Sequence, residues 1–338
     1  MVTGENSAIA APVAPVRPIL RKTLLGLGMI LLGAAMLVLL FQWSGITLAD
    51  LGLRLSRSPV WLVPALMMFS VVQVMLSALK WREVLATYGT PGGTPNLRFC
   101  IFQSTVANLL SQLVSIYLSS SVVRGAAARR SQAFSTSHGL ASSAYEQLFD
   151  IAVITIFVLA TAGSWLFHGG ALLWTGFALA GIAICAGGLM FSGKILEALG
   201  RIRLPGFMQP LARRLSGAFS QEMFDWPLTK RLLALSLARY GVLVGRAALI
   251  AVAMGFVISP LAIAQAFTMV AATQFASLTP GNLGLQEWSW SALLTVRGTP
   301  LRAASEFAIT YRVLTFVSMN LGMAALAWAT WRNQRDPT

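Results

Sequence analysis

Apolar runs of about 20 residues recur along this chain, and few charges interrupt them. At 1.5 Å of rise per residue, such a run makes a helix about 30 Å long, the thickness of a bilayer's hydrocarbon core. Segments of this kind lie at roughly 23–43, 60–79, 99–122, 140–162, 171–192, 232–256, 261–296 and 304–331. With 56% hydrophobic and only 11% charged residues, the runs lack the polar face that a helix on a soluble core presents to water. The pattern predicts an all-α polytopic membrane protein, with a single integral domain over 17–335. Residues 1–16 are rich in Ala and Pro and read as a disordered tail. Arg17, Arg21 and Lys22 then precede a run too long for a signal-peptide core and without a clear small-residue cleavage site, so it is expected to remain as an anchor.

One stretch breaks the pattern. Thr279 to Glu287 reads Thr-Pro-Gly-Asn-Leu-Gly-Leu-Gln-Glu, inside an apolar segment too long for one crossing. Lipid cannot hydrogen-bond a freed N–H or C=O, so interrupted helix at membrane depth must be covered by protein or line a wet cavity. Pro280 removes a donor, and Gly281 and Gly284 permit dihedrals that other residues resist. The stretch is expected to be buried and to line a solute route.

A net charge of +14 suggests a nucleic-acid partner, but the basic residues sort by membrane side instead. Take a cytoplasmic N-terminus, with 99–122 and 261–296 dipping in and returning. Lys80, Arg82, Arg98, Arg124, Arg129, Arg130, the cluster from Lys194 to Arg231, Arg332 and Arg335 then all fall inside, as the positive-inside bias requires. Arg54, Arg57, Arg297 and Arg302 are left outside. A full crossing by 99–122 would move the basic 194–231 loop outside. The expectation is six transmembrane helices plus two re-entrant helical hairpins, both termini cytoplasmic, and no nucleic-acid partner. The loop carries Phe207, Met208, Leu211, Leu215 and Phe219 beside Arg213 and Arg214. It reads either as an amphipathic helix on the anionic inner leaflet or as an ordinary connection carrying its topological charge.

Under this topology a first half (about 60–162) and a second half (about 232–331) have opposite orientations. An inverted repeat with discontinuous helices facing each other near the midplane suits transport, because rocking exposes one fixed site to either side. Ionisable residues within the apolar runs mark the candidate site. Glu146 and Asp150 stand one helical turn apart, and two such carboxylates require a cation, a proton or an arginine beside them. Arg239 and Arg246 share a helix face, Arg312 lies about a third of the way along the final run, and Arg124 and Glu287 close the two hairpins. Together they read as a polar interior for a charged head group. The competing reading is that Glu146 and Arg239, near their segment ends, reach an interface or only tie helices together.

Enzyme signatures are nearly absent. His138 and His168 are the only histidines and do not stand at metal-binding spacing; Cys100 and Cys185 lie in apolar runs and read as core. Gly188 to Lys194 has the outline of a phosphate-binding loop, but Ile195 occupies the Ser/Thr position and a membrane helix replaces the preceding strand. No catalytic residue, cofactor or metal site is expected, and Trp165, Trp174, Trp328 and Trp331 read as interfacial anchors.

Lys80-Trp81-Arg82, the Tyr-Glu-Gln-Leu-Phe-Asp run at 145–150, and above all Pro280-Gly281-Asn282-Leu283-Gly284-Leu285-Gln286-Glu287 with Gly298 beyond it resemble the flippase-like family. That family includes the transmembrane region of lysylphosphatidylglycerol synthases, and the resemblance spans roughly 20–331. It implies a lipid flippase, or a membrane component serving lipid and envelope glycoconjugate synthesis, in a bacterial or archaeal inner membrane. It contributes Pro280, Gly281, Gly284 and Glu287 as the second hairpin's motif, and Glu146 and Asp150 as an acidic helix. The chain departs from the family pattern in two places. Gln147 stands where the family usually has Arg, and the first hairpin, Ser-Ile-Tyr-Leu-Ser-Ser-Ser-Val-Val-Arg at 115–124, lacks the usual Pro, Gly and acid. Only Arg124 carries over there, and the serines are expected to satisfy freed backbone groups.

Two functions follow from these readings. In the first, a flippase takes a polar-headed lipid (phospholipid, aminoacyl-lipid, hopanoid or polyprenyl-linked glycolipid) between leaflets. Glu146, Asp150 and Glu287 hold a cationic group, and Arg124, Arg239, Arg246 and Arg312 hold a phosphate. In the second, a non-transporting scaffold presents a lipid carrier to a glycosyltransferase or lipid-modifying enzyme. The final residues are too few for a soluble aminoacyl-transfer domain, so a complete lysyl-lipid synthase is not expected.

Overall fold

A computed structural model describes residues 16–88, 96–112, 116–130, 134–190, 225–274 and 279–331. Most of the expected 1–16 tail, the Phe207 to Phe219 stripe with Arg213 and Arg214, and Arg332 with Arg335 lie outside the described residues. Those described form α1 (Val16–Ser44), α2 (Leu48–Ser56), α3 (Leu62–Ala86), α4 (Leu97–Leu110), α5 (Ile116–Arg130), α6 (Thr136–Leu166), α7 (Ala171–Met190), α8 (Trp226–Ala253), α9 (Pro260–Thr273), α10 (Leu285–Val296) and α11 (Leu301–Trp331). A 3-10 turn at Pro280–Asn282 precedes α10. Helices α1, α3, α6, α7, α8 and α11 are long and apolar enough to cross a bilayer. The chain is a multi-pass α-helical membrane protein. Its outer faces agree: α7 exposes Leu172, Leu179 and Ile184 and buries Ala178 alone among its described residues, a surface that only lipid covers without cost.

Start signals explain several boundaries. Asn96, Ser135 and Ser259 each accept a hydrogen bond from a first-turn N–H, and prolines stand in the first turns of α8 and α9. Helix α2, not anticipated from the apolar runs, carries a Thr47/Asp50 capping box in which each side chain bonds the other's backbone N–H.

Besides the nine-residue α2, four of the described helices are too short to span. At 14, 15, 14 and 12 residues, α4, α5, α9 and α10 reach about 18 to 22 Å. Helix α4 packs against α5, and α9 against α10. Helix α4 ends at Leu110 and α5 begins at Ile116, so the serines at 119–121 lie within a helix, and this corrects the expectation for 115–124. Ser119 and Ser120 are buried within α5 instead of serving irregular chain. The sequence between these two helices, Ser-Gln-Leu-Val-Ser, has no Pro or Gly. Just before it, Ser111 Oγ donates to Asn108 O (2.6 Å) and Asn108 Nδ2 to Ser104 O (2.8 Å), side-chain bonds of the kind that compete with helical backbone.

The eight elements α3 to α6 and α8 to α11 pack as two exchanged sets. Contact of α4 with α11 is matched by α9 with α6, α3 with α11 by α8 with α6, and α3 with α6 by α8 with α11; α3 and α8 meet each other. Along that last contact Phe69 faces Gly245, Lys80 bonds Ser236 and Glu83 pairs with Arg231, so residue numbers rise on one helix as they fall on the other. The corresponding first helices of the two sets are therefore antiparallel. Helix α7 covers α6 and α8, and α1 lies on α10 and α11. Trp290, fully buried, meets Phe267, Phe307 and Tyr311 at ring distances of 5.2 to 6.3 Å and ties α9, α10 and α11 together.

Candidate functional site

A cavity of about 220 Å³ lies where the two helix breaks face each other. Ser111 and Gln112 come from the first break and Thr279, Gly281 and Asn282 from the second, with α3, α6, α8 and α11 and the short helices α4, α5, α9 and α10 all contributing to the wall. Of the residues singled out from sequence, Glu146, Asp150, Arg239, Arg246, Gly281 and Arg312 line this space. Arg124, Gly284 and Glu287 do not, and Pro280 opens the 3-10 turn beside it.

The acidic pair on α6 is held by three cations. Lys80 Nζ donates to Asp150 Oδ1 (2.5 Å) and Ser236 Oγ (3.1 Å) and stands 3.4 Å from Glu146 Oε1. Arg239 pairs with the other Asp150 oxygen, and Arg124 with Glu146 Oε2. Arg124 also donates to Ser77 (3.0 Å) and Ser104 (3.3 Å) and lies over the Trp81 ring. Glu146 and Asp150 are thus neutralised inside the protein, not at an interface.

Lys80 is a correction. Charge sorting assigned it to the cytoplasmic flank because it lies near the end of an apolar run, yet its side chain is fully buried. Helix α3 continues to Ala86, which draws Lys80 in toward the two carboxylates. Gln286, within the interrupted stretch, lines the cavity too. Ser77 and Gln73 also line it and were not anticipated; as uncharged residues in an apolar run, they gave no signal of their own.

Four hydrogen bonds hold the described part of the second break, from Thr279 to Gly284, although Asn282 Oδ1 is buried without a partner. Asn282 N–H donates to Thr279 O (2.9 Å), Thr279 Oγ1 to Leu283 O (2.8 Å), Arg312 Nη2 to Gly281 O (2.8 Å), and Gly284 N–H to Glu287 Oε2 (2.8 Å). Glu287 is therefore a cap on α10 whose other oxygen lies 3.5 Å from Arg312 Nε, behind the wall and not in the cavity. Helix α1 closes the outside: Trp288 Nε1 donates to Met36 O, and a Cβ on Gly284 would sit 2.6 Å from Met36 Cβ and 2.7 Å from Gly33 O. With φ at +80°, Gly284 is required twice over.

A family model described as the lysylphosphatidylglycerol synthase TM region matches residues 24–322. The chain belongs to that family. In this lysylphosphatidylglycerol synthase TM-region member, the matched residues include both helix breaks and all the cations and carboxylates of the buried network. Membership points to a membrane-lipid function. A comparison with curated proteins gives no match.

Proposed function

We propose that this protein is a flippase that passes the polar head of a lipid across an inner membrane of bacterial or archaeal type. The observation that carries the reading is the charged cavity itself, set between two helix pairs too short to cross and packed as exchanged, antiparallel halves. Charges of this number are expensive in a membrane interior and are kept where a polar solute needs them.

In this reading the α4/α5 and α9/α10 pairs are re-entrant, and rocking of the halves opens the cavity to one side and then the other. Arg82 and Arg129 near the ends of α3 and α5, and Arg98, Lys230 and Arg231 near the starts of α4 and α8, are read as facing the cytoplasm, as the positive-inside bias favours, with both termini on that side. Phe316 both lines the cavity and is 54% exposed on the lipid-facing side, so a head group inside leaves its acyl chains in the bilayer. No covalent step is involved, and membrane lipids are the partners.

The test is reconstitution in vesicles carrying head-labelled lipids whose arrival in the other leaflet is followed by a membrane-impermeant quencher. Ala271 lines the cavity, and Ala271→Phe fills it. Transport by this variant is expected to fall at least about tenfold; because Ala271 is also packed in the buried core, a cost of about 1–3 kcal/mol in stability accompanies the loss, and a variant that still folds reads the blockade. If wild-type protein moves no tested lipid faster than protein-free vesicles do, the transport reading fails; a glycosyltransferase that then copurifies in stable complex would support a scaffold.

A further inference from the structure

The charge balance of the cavity identifies the kind of head group it takes, and this step rests on the transport reading above. Three cations, Lys80, Arg124 and Arg239, surround the two carboxylates Glu146 and Asp150. Arg312 shares Glu287, at 3.5 Å. That leaves Arg246. The residue is 6% exposed, its guanidinium donates only to neutral groups, Gln73 Oε1 and Tyr311 OH, each at 3.3 Å, and its Nε has no hydrogen-bond partner. Among the described residues it forms no ion pair, although it lines the cavity.

The wall and the shell behind it therefore hold five cations against three carboxylates. A buried cation without a counter-charge is costly, and the anion that relieves it must come from the cavity. Protonating a carboxylate only enlarges the positive surplus, and neutralising Lys80 leaves it positive. Conversely, a cationic amine entering the cavity meets no free carboxylate: Glu146 and Asp150 are the only acids lining it among the described residues, and both are already paired. We infer that the cavity binds the anionic phosphate of a head group that carries no balancing amine, with Arg246 as its principal contact and Arg312 as the second. Arginine suits the role, since its planar fork meets two phosphate oxygens at once. This revises the sequence expectation that Glu146, Asp150 and Glu287 receive a cationic group.

The experiment measures equilibrium binding of short-chain phosphatidylglycerol, phosphatidylcholine, lysyl-phosphatidylglycerol and inorganic phosphate to the full chain in detergent, beside the vesicle assay. Phosphatidylglycerol is expected to bind at least tenfold more tightly than the zwitterionic and cationic lipids. Arg246→Gln is expected to weaken that binding about ten- to a hundredfold, the loss of one charge-assisted contact, and to leave phosphatidylcholine unchanged. Arg246→Lys should fall between. Lysyl-phosphatidylglycerol binding as tightly as phosphatidylglycerol overturns the inference, as does discrimination that survives both substitutions. Should Arg246→Gln fail to fold, the wild-type comparison and Arg246→Lys decide. Selective binding of phosphatidylglycerol without leaflet transfer removes the transport reading and keeps the anion site, whereas rapid transfer of the cationic lipid does the reverse. Inorganic phosphate binding as well as the lipid would assign the site to a free anion.

Discussion

Replacing Glu146 with alanine is expected to destabilise the protein by about 3–5 kcal/mol, the cost of stranding buried cations whose partner is removed. Arg124, at 1% exposure, would keep only the hydroxyls of Ser77 and Ser104 and the face of Trp81, none of which carries charge. Lys80 would keep Asp150 as its one carboxylate, which Arg239 already shares, and the neutral hydroxyl of Ser236. A depressed melting temperature in detergent, on the order of 10 °C, and a reduced yield are the expected readings. The double variant Glu146→Gln, Arg124→Gln removes both charges together and should lie closer to wild type than Glu146→Ala does. A Glu146→Ala protein that melts with the wild type would mean that these charges do not support one another, and the network would lose its structural meaning.

How much of this was legible follows from what each signal depends on. The six spanning helices were readable because length and apolarity are local properties, and their boundaries moved by a few residues at most ends. The second break was readable because Pro280, Gly281 and Gly284 each restrict or free the backbone on their own account. The first break was misplaced: the sequence from Ser111 to Ser115 contains no such residue, and the side-chain bonds at the end of α4 become visible only once Asn108 and Ser104 are in place. Glu146, Asp150, Arg239, Arg246 and Arg312 were found as charges in apolar runs, but their pairing was not. Lys80 decides that pairing, and from sequence it was indistinguishable from an interfacial lysine. Glu287 shows the converse. Its motif marked it for function, whereas its carboxylate caps α10 and backs Arg312 without lining the cavity itself.

The two halves also differ in how they hold their breaks, and the difference fixes where a small change has the largest effect. Gly281 has φ +58° and ψ +20°, and a Cβ built there would stand 2.5 Å from Gln112 O of the opposite break and 3.3 Å from Arg312 Nη2. The breaks therefore touch through backbone, and α11 fastens them, with Arg312 on Gly281 O and Asn320 on the Gln112 side chain. Gly281→Ala is expected to cost about 1–2 kcal/mol for the left-handed conformation and a further 1–3 kcal/mol for the collision, since a backbone oxygen cannot turn aside as a side-chain end can. The tips must separate, and the cavity loses its closed wall. Leaflet transfer should fall at least about tenfold while the helical content stays near that of wild type. Gly298→Ala supplies the comparison. That glycine also has a positive φ, +88°, but has open space where the Cβ would go and lies beyond α10, away from both breaks. It incurs the conformational cost alone. If the two variants lose stability and transport equally, backbone strain explains both, and contact between the tips has no part in moving lipid. If Gly281→Ala alone stops transfer, the meeting of the two breaks is the element on which transport turns.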